Sequence, residues 1–281
     1  MSLLVAALGM AALAAPAPPP DARWQYQLEG RVDPDVCSAP LAGGACVRPT
    51  VFDIDLYAPD GRTLNGAAVA AIHARGGYAI CYVNAGTAEL FRPDWPRYRR
   101  WHLRHGRSLL GRPFSERFPD ERWLNIEGDR GQRDFVLRMV DVRSRRCAQA
   151  GFDAVEYDVV NAWEEGRAVT GWRISARTQL RFNRALARIA HRHGLAAGLK
   201  NDLPQARALE PSFEFAVSES CFRYRECRPL EHFARRGKPV FVVEYGPARG
   251  RFCPQASRRG YQAIGKARDL SLRARPWLPC D

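Results

Sequence analysis

Lysine is nearly absent from this chain: of 43 basic residues only Lys200, Lys238 and Lys266 are not Arg. A net charge of +13 invites a nucleic-acid or anionic-surface reading. The Arg residues are nonetheless spread along nearly the whole chain, which is the signature of a coding bias and not of a basic patch. No CxxC pair occurs, which argues against a zinc ribbon or a thioredoxin-type site. No GxGxxG or P-loop follows a strand-like run, so a dinucleotide or nucleoside-triphosphate fold is disfavoured. No GxSxG is present, and with it goes the usual nucleophile elbow of a serine hydrolase. No internal repeat is visible.

What is there suits a folded enzyme. The 281 residues, 46% hydrophobic and 26% charged, are those of a globular chain with one large α/β domain. The apolar run from Leu3 to Ala15, then small residues and prolines, reads as an export signal with a short spacer over residues 1–22. That run is too short for an ordinary membrane-spanning helix. Residues 23–281 are then the functional domain, secreted or periplasmic and not membrane-bound once the signal is removed. Eight cysteines fit an oxidising compartment. Cys37 with Cys46 and Cys221 with Cys227 are close enough in sequence to close local bridges; the pairing of Cys81, Cys147, Cys253 and Cys280 stays open.

Strand-like runs recur at Trp24, Val51, Tyr78, Trp123, Phe152, Leu195, Phe215 and Pro239. Helical periodicity lies between several of them, over about Ala67–Arg75, Arg133–Gln149 and Ala176–His193. Ser175 is placed to cap the last of these and Gly194 to stop it. Strands alternating with helices at this length predict a (β/α)8 TIM barrel, with a doubly wound open sheet as the alternative. The long stretch from Phe91 to Arg122, rich in Arg and aromatics, reads as a βα connection at the barrel mouth.

In such a barrel function sits at the C-terminal strand ends. Here those ends carry Asp53 and Asp55, Tyr82 and Asn84, Glu156 and Asp158, Lys200, Asn201 and Asp202, Glu219, and Glu244. Alternation puts Glu156 and Asp158 on one face of "GFDAVEYDVVN", where two carboxylates are costly unless a site uses them. No His lies at a strand end, so the reading includes no metal and no cofactor. Glycoside hydrolysis needs only two carboxylates flanking the bond, with polar and aromatic groups to hold sugars, and it fits best.

Eight stretches run in order from Trp24 to Tyr245: "WQYQL", "FDIDLY", "ICYVNAGTAE", "FPDERWLNI", "GFDAVEYDVVN", "GLKND", "FAVSESCFRYREC" and "GKPVFVVEY". On these the chain resembles glycoside hydrolase family 114, the endo-α-1,4-polygalactosaminidases. The resemblance implies a secreted (β/α)8 endo-glycosidase acting on a polysaccharide rich in galactosamine. It puts the catalytic pair on Asp158 and Glu219. Around that pair Asp55, Tyr82, Asn84, Glu156, Lys200, Asn201 and Glu244 are the expected substrate-binding residues. The sequence departs from the family pattern at Tyr157, Val159, Asn161, Ser218 and Ser220, close to the catalytic pair.

A cationic amino-sugar polymer and a basic protein are compatible if the mouth is locally acidic, since charges more than roughly 8–10 Å apart are largely screened at physiological salt. The expected partner is that polysaccharide, with no nucleic acid and a monomeric protein. The competing readings are a TIM barrel that binds carbohydrate without cleaving it and a glycosidase for another α-linked polymer.

Overall fold

A computed structural model describes residues 16–128, 131–246 and 249–280. The apolar run Leu3–Ala15 of the expected export signal lies outside the described residues. The elements follow as β1 (Trp24–Gln27), β2 (Val51–Asp55), α1 (Gly66–His73), β3 (Tyr78–Asn84), β4 (Thr87–Glu89), α2 (Trp95–Arg104), β5 (Leu110–Pro113) and β6 (Glu121–Leu124). Then come α3 (Gln132–Gln149), β7 (Ala154–Asp158), α4 (Gly166–Thr170), α5 (Ala176–Arg192), β8 (Ala196–Lys200), α6 (Ala206–Leu209) and β9 (Phe215–Glu219). The chain ends with α7 (Cys221–Tyr224), α8 (Glu231–Ala234), β10 (Val240–Tyr245), α9 (Arg249–Arg259), β11 (Gln262–Lys266) and β12 (Leu278–Pro279).

Among the described residues the main sheet runs β1-β2-β3-β7-β8-β9-β10-β11-β12. Its first eight strands are parallel, and β12 returns antiparallel along β11. β11 also lies against β1, which brings the edges of the parallel set together as a TIM barrel. The strands are nearly continuous apolar runs because both of their faces are covered, by helices outside and by their own side chains inside.

The run at Trp123 is a strand, but not one of the barrel's. As β6 it pairs antiparallel with β4 and β5 in a separate three-stranded sheet. The eighth barrel strand is β11, "QAIGK", absent from the sequence reading. The three predicted helices stand within a residue or two as α1, α3 and α5, and Ser175 Oγ accepts from the Thr178 amide as the cap of α5.

The excursion between β3 and α3 is fastened to the barrel by charge. Buried Arg143 of α3 donates to both Asp94 oxygens at 2.8 and 2.9 Å, to the Asn84 carbonyl at 2.9 Å and to Glu89 at 3.3 Å. Arg92 in turn bridges Glu89 at 3.0 Å and clamps Asp55 of β2 with contacts of 2.7 and 2.5 Å. The two guanidiniums give each of the three carboxylates a cationic donor, although one negative charge is left in excess, and such pairing is what lets these groups be tolerated inside a protein.

The barrel floor is aromatic, with Phe241 packed between Trp24 at 5.2 Å and Phe215 at 6.0 Å. Gly198 is required here: a Cβ would come within 2.3 Å of the Phe215 ring. Four disulfides tie the outside together. Cys37–Cys46 and Cys221–Cys227 close the two local loops, while Cys81–Cys147 joins β3 to α3 and Cys253–Cys280 joins α9 to the chain end. Among the described residues no helix is long and apolar enough to cross a membrane.

Lys266, at the end of β11, is buried and donates to the Arg273 carbonyl at 2.7 Å. Burial lowers its ammonium to about 7. Between that value and the ordinary lysine value the unfolded chain holds a proton that the folded chain does not, so stability should rise with pH. Urea unfolding of wild type and Lys266→Met at pH 7, 8 and 9 should show a gap changing by up to about 1.4 kcal/mol per pH unit in favour of the wild type. Parallel curves would show that this ammonium is solvated.

Candidate active site

Along each parallel strand alternate residues face the barrel interior, and those nearest the C-terminal ends converge. Asp55 pairs across to Tyr82, and Tyr82 to Glu156, so one layer of the interior is set by register. One residue pair further on, Asn84 stands beside Asp158. Lys200 ends β8 and Glu219 ends β9.

The centre of the arrangement is the Lys200 ammonium. It lies 3.1 Å from Asp158 Oδ1, 3.2 Å from Glu156 Oε1 and 3.7 Å from Glu219 Oε1, and donates to the Tyr26 hydroxyl at 3.1 Å. Burial works against the charged amine, but the carboxylates of Asp158, Glu156 and Glu219 outweigh it and hold the ammonium well above the ordinary lysine range. Below it, Glu156 is fully buried. Burial pushes its carboxyl up, and Lys200 offsets only part of that. Asp53, also fully buried, is pushed well above the carboxylate range by burial and then by Glu156. Among the described residues no N–H or hydroxyl reaches either Asp53 oxygen or Glu156 Oε2. Burial and the adjacent Glu156 charge together favour a neutral, protonated Asp53.

Above Lys200 the acids open to a cavity. Asp158 accepts from the Tyr82 hydroxyl at 2.8 Å and from the Val159 amide at 2.8 Å, as well as from Lys200. Glu219 accepts from the Tyr245 hydroxyl at 2.7 Å through the same oxygen that faces Lys200, and its side chain is the more exposed, 33% against 20% for Asp158. Burial holds both tyrosines protonated, with the adjacent carboxylates adding to it, so they act as donors. The backbone turns sharply after each of these strands. Val159, Asn201 with Asp202, and Ser220 all have positive φ, at 58°, 48°, 46° and 60°. For a β-branched residue such as Val159 that conformation is strained, and strain of this kind collects at functional sites. Gly86 leaves room for it, because a Cβ there would meet the Val159 carbonyl at 1.7 Å.

The cavity has a volume of about 740 Å³ and is lined by Tyr26, Asp55, Tyr82, Asn84, Asp158, Asn201 and Glu219. The Phe91–Arg122 connection does lie at the mouth, and it contributes Phe91, Arg92, Phe114, Phe118 and Glu121 to the wall. A second depression of about 660 Å³ continues from Asn161, Asn201 and Glu219 toward exposed Tyr224.

The predicted residues separate by depth. Asp158, Glu219, Tyr82, Asn84 and Asn201 line the cavity. Asn201 Oδ1 accepts from the Glu219 amide at 3.1 Å and steadies that strand end. Asp55 lines the cavity too, but the Arg92 clamp occupies its carboxylate. Lys200 and Glu156 are sealed beneath the floor and reach a ligand only through the acids above them. Glu244 is on the opposite face of β10 from Tyr245, where it accepts from the Phe222 amide at 2.8 Å, and it does not line the cavity. Tyr26, Tyr245 and Glu121 went unnoticed in the sequence. The first two are strand-end residues on the inward face and follow from the alternation that exposed the acids. Among the described residues no group of three or more His, Cys, Asp or Glu has the arrangement of a metal site.

The sequence profile described as Glycoside-hydrolase family GH114 matches residues 6–279. No curated protein matches the sequence. Among solved structures, Ega3 of Aspergillus fumigatus, determined in complex with galactosamine, is 24% identical, with 94% of this chain and 98% of that one covered at a TM-score of 0.75. The glycoside hydrolase domain of PelA from Pseudomonas aeruginosa is 13% identical, with coverage of 91% and 97% and a TM-score of 0.59. Likeness at these identities is a likeness of fold.

Proposed function

The chain belongs to glycoside hydrolase family 114 and is a glycoside hydrolase, and from that premise we propose that it cuts α-1,4-linked, galactosamine-containing polysaccharide within the chain, using Asp158 and Glu219. The observation that carries the assignment is the single buried ammonium of Lys200 contacting both carboxylates at the floor of the cavity. Two oxygens that share one Nζ are closer together than the sum of their distances to it. The 3.1 and 3.7 Å contacts hold the facing oxygens within about 7 Å, which accommodates the separation of about 5–5.5 Å typical of retaining enzymes and excludes most of the 6.5–9.5 Å range that admits a water between the acids.

The roles follow from the surroundings. Asp158 receives three donors, which stabilise a carboxylate aimed at the sugar, so it is the nucleophile. Glu219 is more open to solvent, with one oxygen free of the donors that hold the other, so it gives a proton to the departing oxygen and takes one from the incoming water. Lys200 balances the charge of the pair and Tyr82 and Tyr245 fix their directions. The depression on the far side of Glu219 lets a chain extend both ways from the cut, as internal cleavage requires. The galactosamine bound to Ega3 supports an amino-sugar substrate, and the four disulfides support action outside the cytoplasm.

The test is incubation with partly de-N-acetylated galactosaminogalactan, with products read by mass spectrometry and anomeric configuration by NMR. Short internal fragments with retained configuration are expected. Binding without cleavage would turn the reading toward a carbohydrate-binding barrel, and inverted products would overturn the assigned roles.

A further inference from the structure

Glu121 has no place in the cleavage chemistry, yet its carboxyl opens into the same cavity. It stands on β6, on the inserted sheet that forms one wall. Its Oε2 is fixed by the Asn84 amide at 3.0 Å and the Thr87 hydroxyl at 2.7 Å, while Oε1 has no hydrogen-bond partner among the described residues. Among the described residues no cation pairs with it. The neighbouring Glu89, opposite it on β4, takes Arg92 and Arg143 instead.

We propose that Glu121 is a specificity-determining residue that accepts a hydrogen bond from the ammonium of an amino sugar seated beside the cleaved bond. The inference rests on the amino-sugar reading above and deepens it. A neutral or N-acetylated unit offers Glu121 no charge to match, so the side chain discriminates against it. Burial, with the nearby Glu89 and Asp158 charges adding to it, raises the carboxyl to about 7 despite its two donors. A bound ammonium supplies the counter-charge that the folded chain withholds.

The experiment compares wild type with Glu121→Gln on de-N-acetylated and fully N-acetylated α-1,4-galactosamine oligomers, as the ratio of kcat/KM for the two. The amide keeps the acceptor for Asn84 and Thr87, so the fold is expected to stand, and Glu121→Asp serves as a charge-retaining variant. The wild-type ratio should favour the free amine, and Glu121→Gln should narrow it by about ten- to a hundredfold, the ordinary worth of one charge-assisted hydrogen bond. Glu121→Asp should keep most of it. An unchanged ratio in Glu121→Gln, with the wild type active on the amine substrate, would overturn this inference alone. A wild type that cleaves neither oligomer would overturn the amino-sugar reading together with it.

Discussion

Asp158→Asn and Glu219→Gln should each lower turnover on the galactosamine polymer by about 10³-fold or more while the protein folds as before. Each change keeps the size of the side chain and removes only its ability to attack or to carry a proton. The two losses should differ in kind. Glu219→Gln lacks the proton for the departing oxygen, so an aryl glycoside whose leaving group needs no proton should restore the first step. Asp158→Asn lacks the nucleophile, and no leaving group should rescue it. Near-wild-type turnover in either variant would remove that residue from the pair. Rescue of Asp158→Asn by the aryl substrate would reverse the roles.

Lys200→Met should have the second large effect, on stability and rate together. Removing the ammonium leaves Glu156 fully buried beside Asp53, with Asp158 and Glu219 above, and no cation among them. Stripping one partner from a buried ion pair costs about 3–5 kcal/mol, which for a chain of this size lowers Tm by roughly 10 °C. Adding Glu156→Gln removes the stranded charge, so the double variant should recover much of the lost stability but not the lost activity. That split separates support of the fold from support of the catalytic pair. A Lys200→Met protein with wild-type turnover would show that the ammonium only neutralises the barrel interior.

The acids at the strand ends were legible because their strands are otherwise apolar, and carboxylates in that setting need a reason. Depth was not legible. Glu156 and Asp158 share a face and differ by one alternation, yet one is sealed beneath Lys200 and the other opens to the cavity; only closure of the barrel decides which. Glu244 could have been set aside, since Phe241, Val243 and Tyr245 already fill the inward positions of β10 and leave it outside. The Trp123 run misled because a local pattern of apolar residues says that a strand forms but not which sheet receives it. β11 escaped because "QAIGK" is short, carries a glycine and follows the Arg-rich α9 with its internal Pro254. Glu121 was hidden by the same misplacement, since its position against the cavity depends on β6 leaving the barrel.

The clamp of Arg92 and Arg143 on Asp55, Glu89 and Asp94 also joins two parts of the site that are built separately. The groups proposed to break the bond stand on β7 and β9, whose registers are set by barrel pairing alone. The wall with Phe114, Phe118 and Glu121 belongs to an excursion moored by those charged contacts, by Tyr98 and Trp101 packed on Phe135 of α3, and by the Asn84–Glu121 hydrogen bond. Substitutions on that wall that spare its moorings should therefore shift sugar preference while the registers that hold the catalytic pair stay as they are.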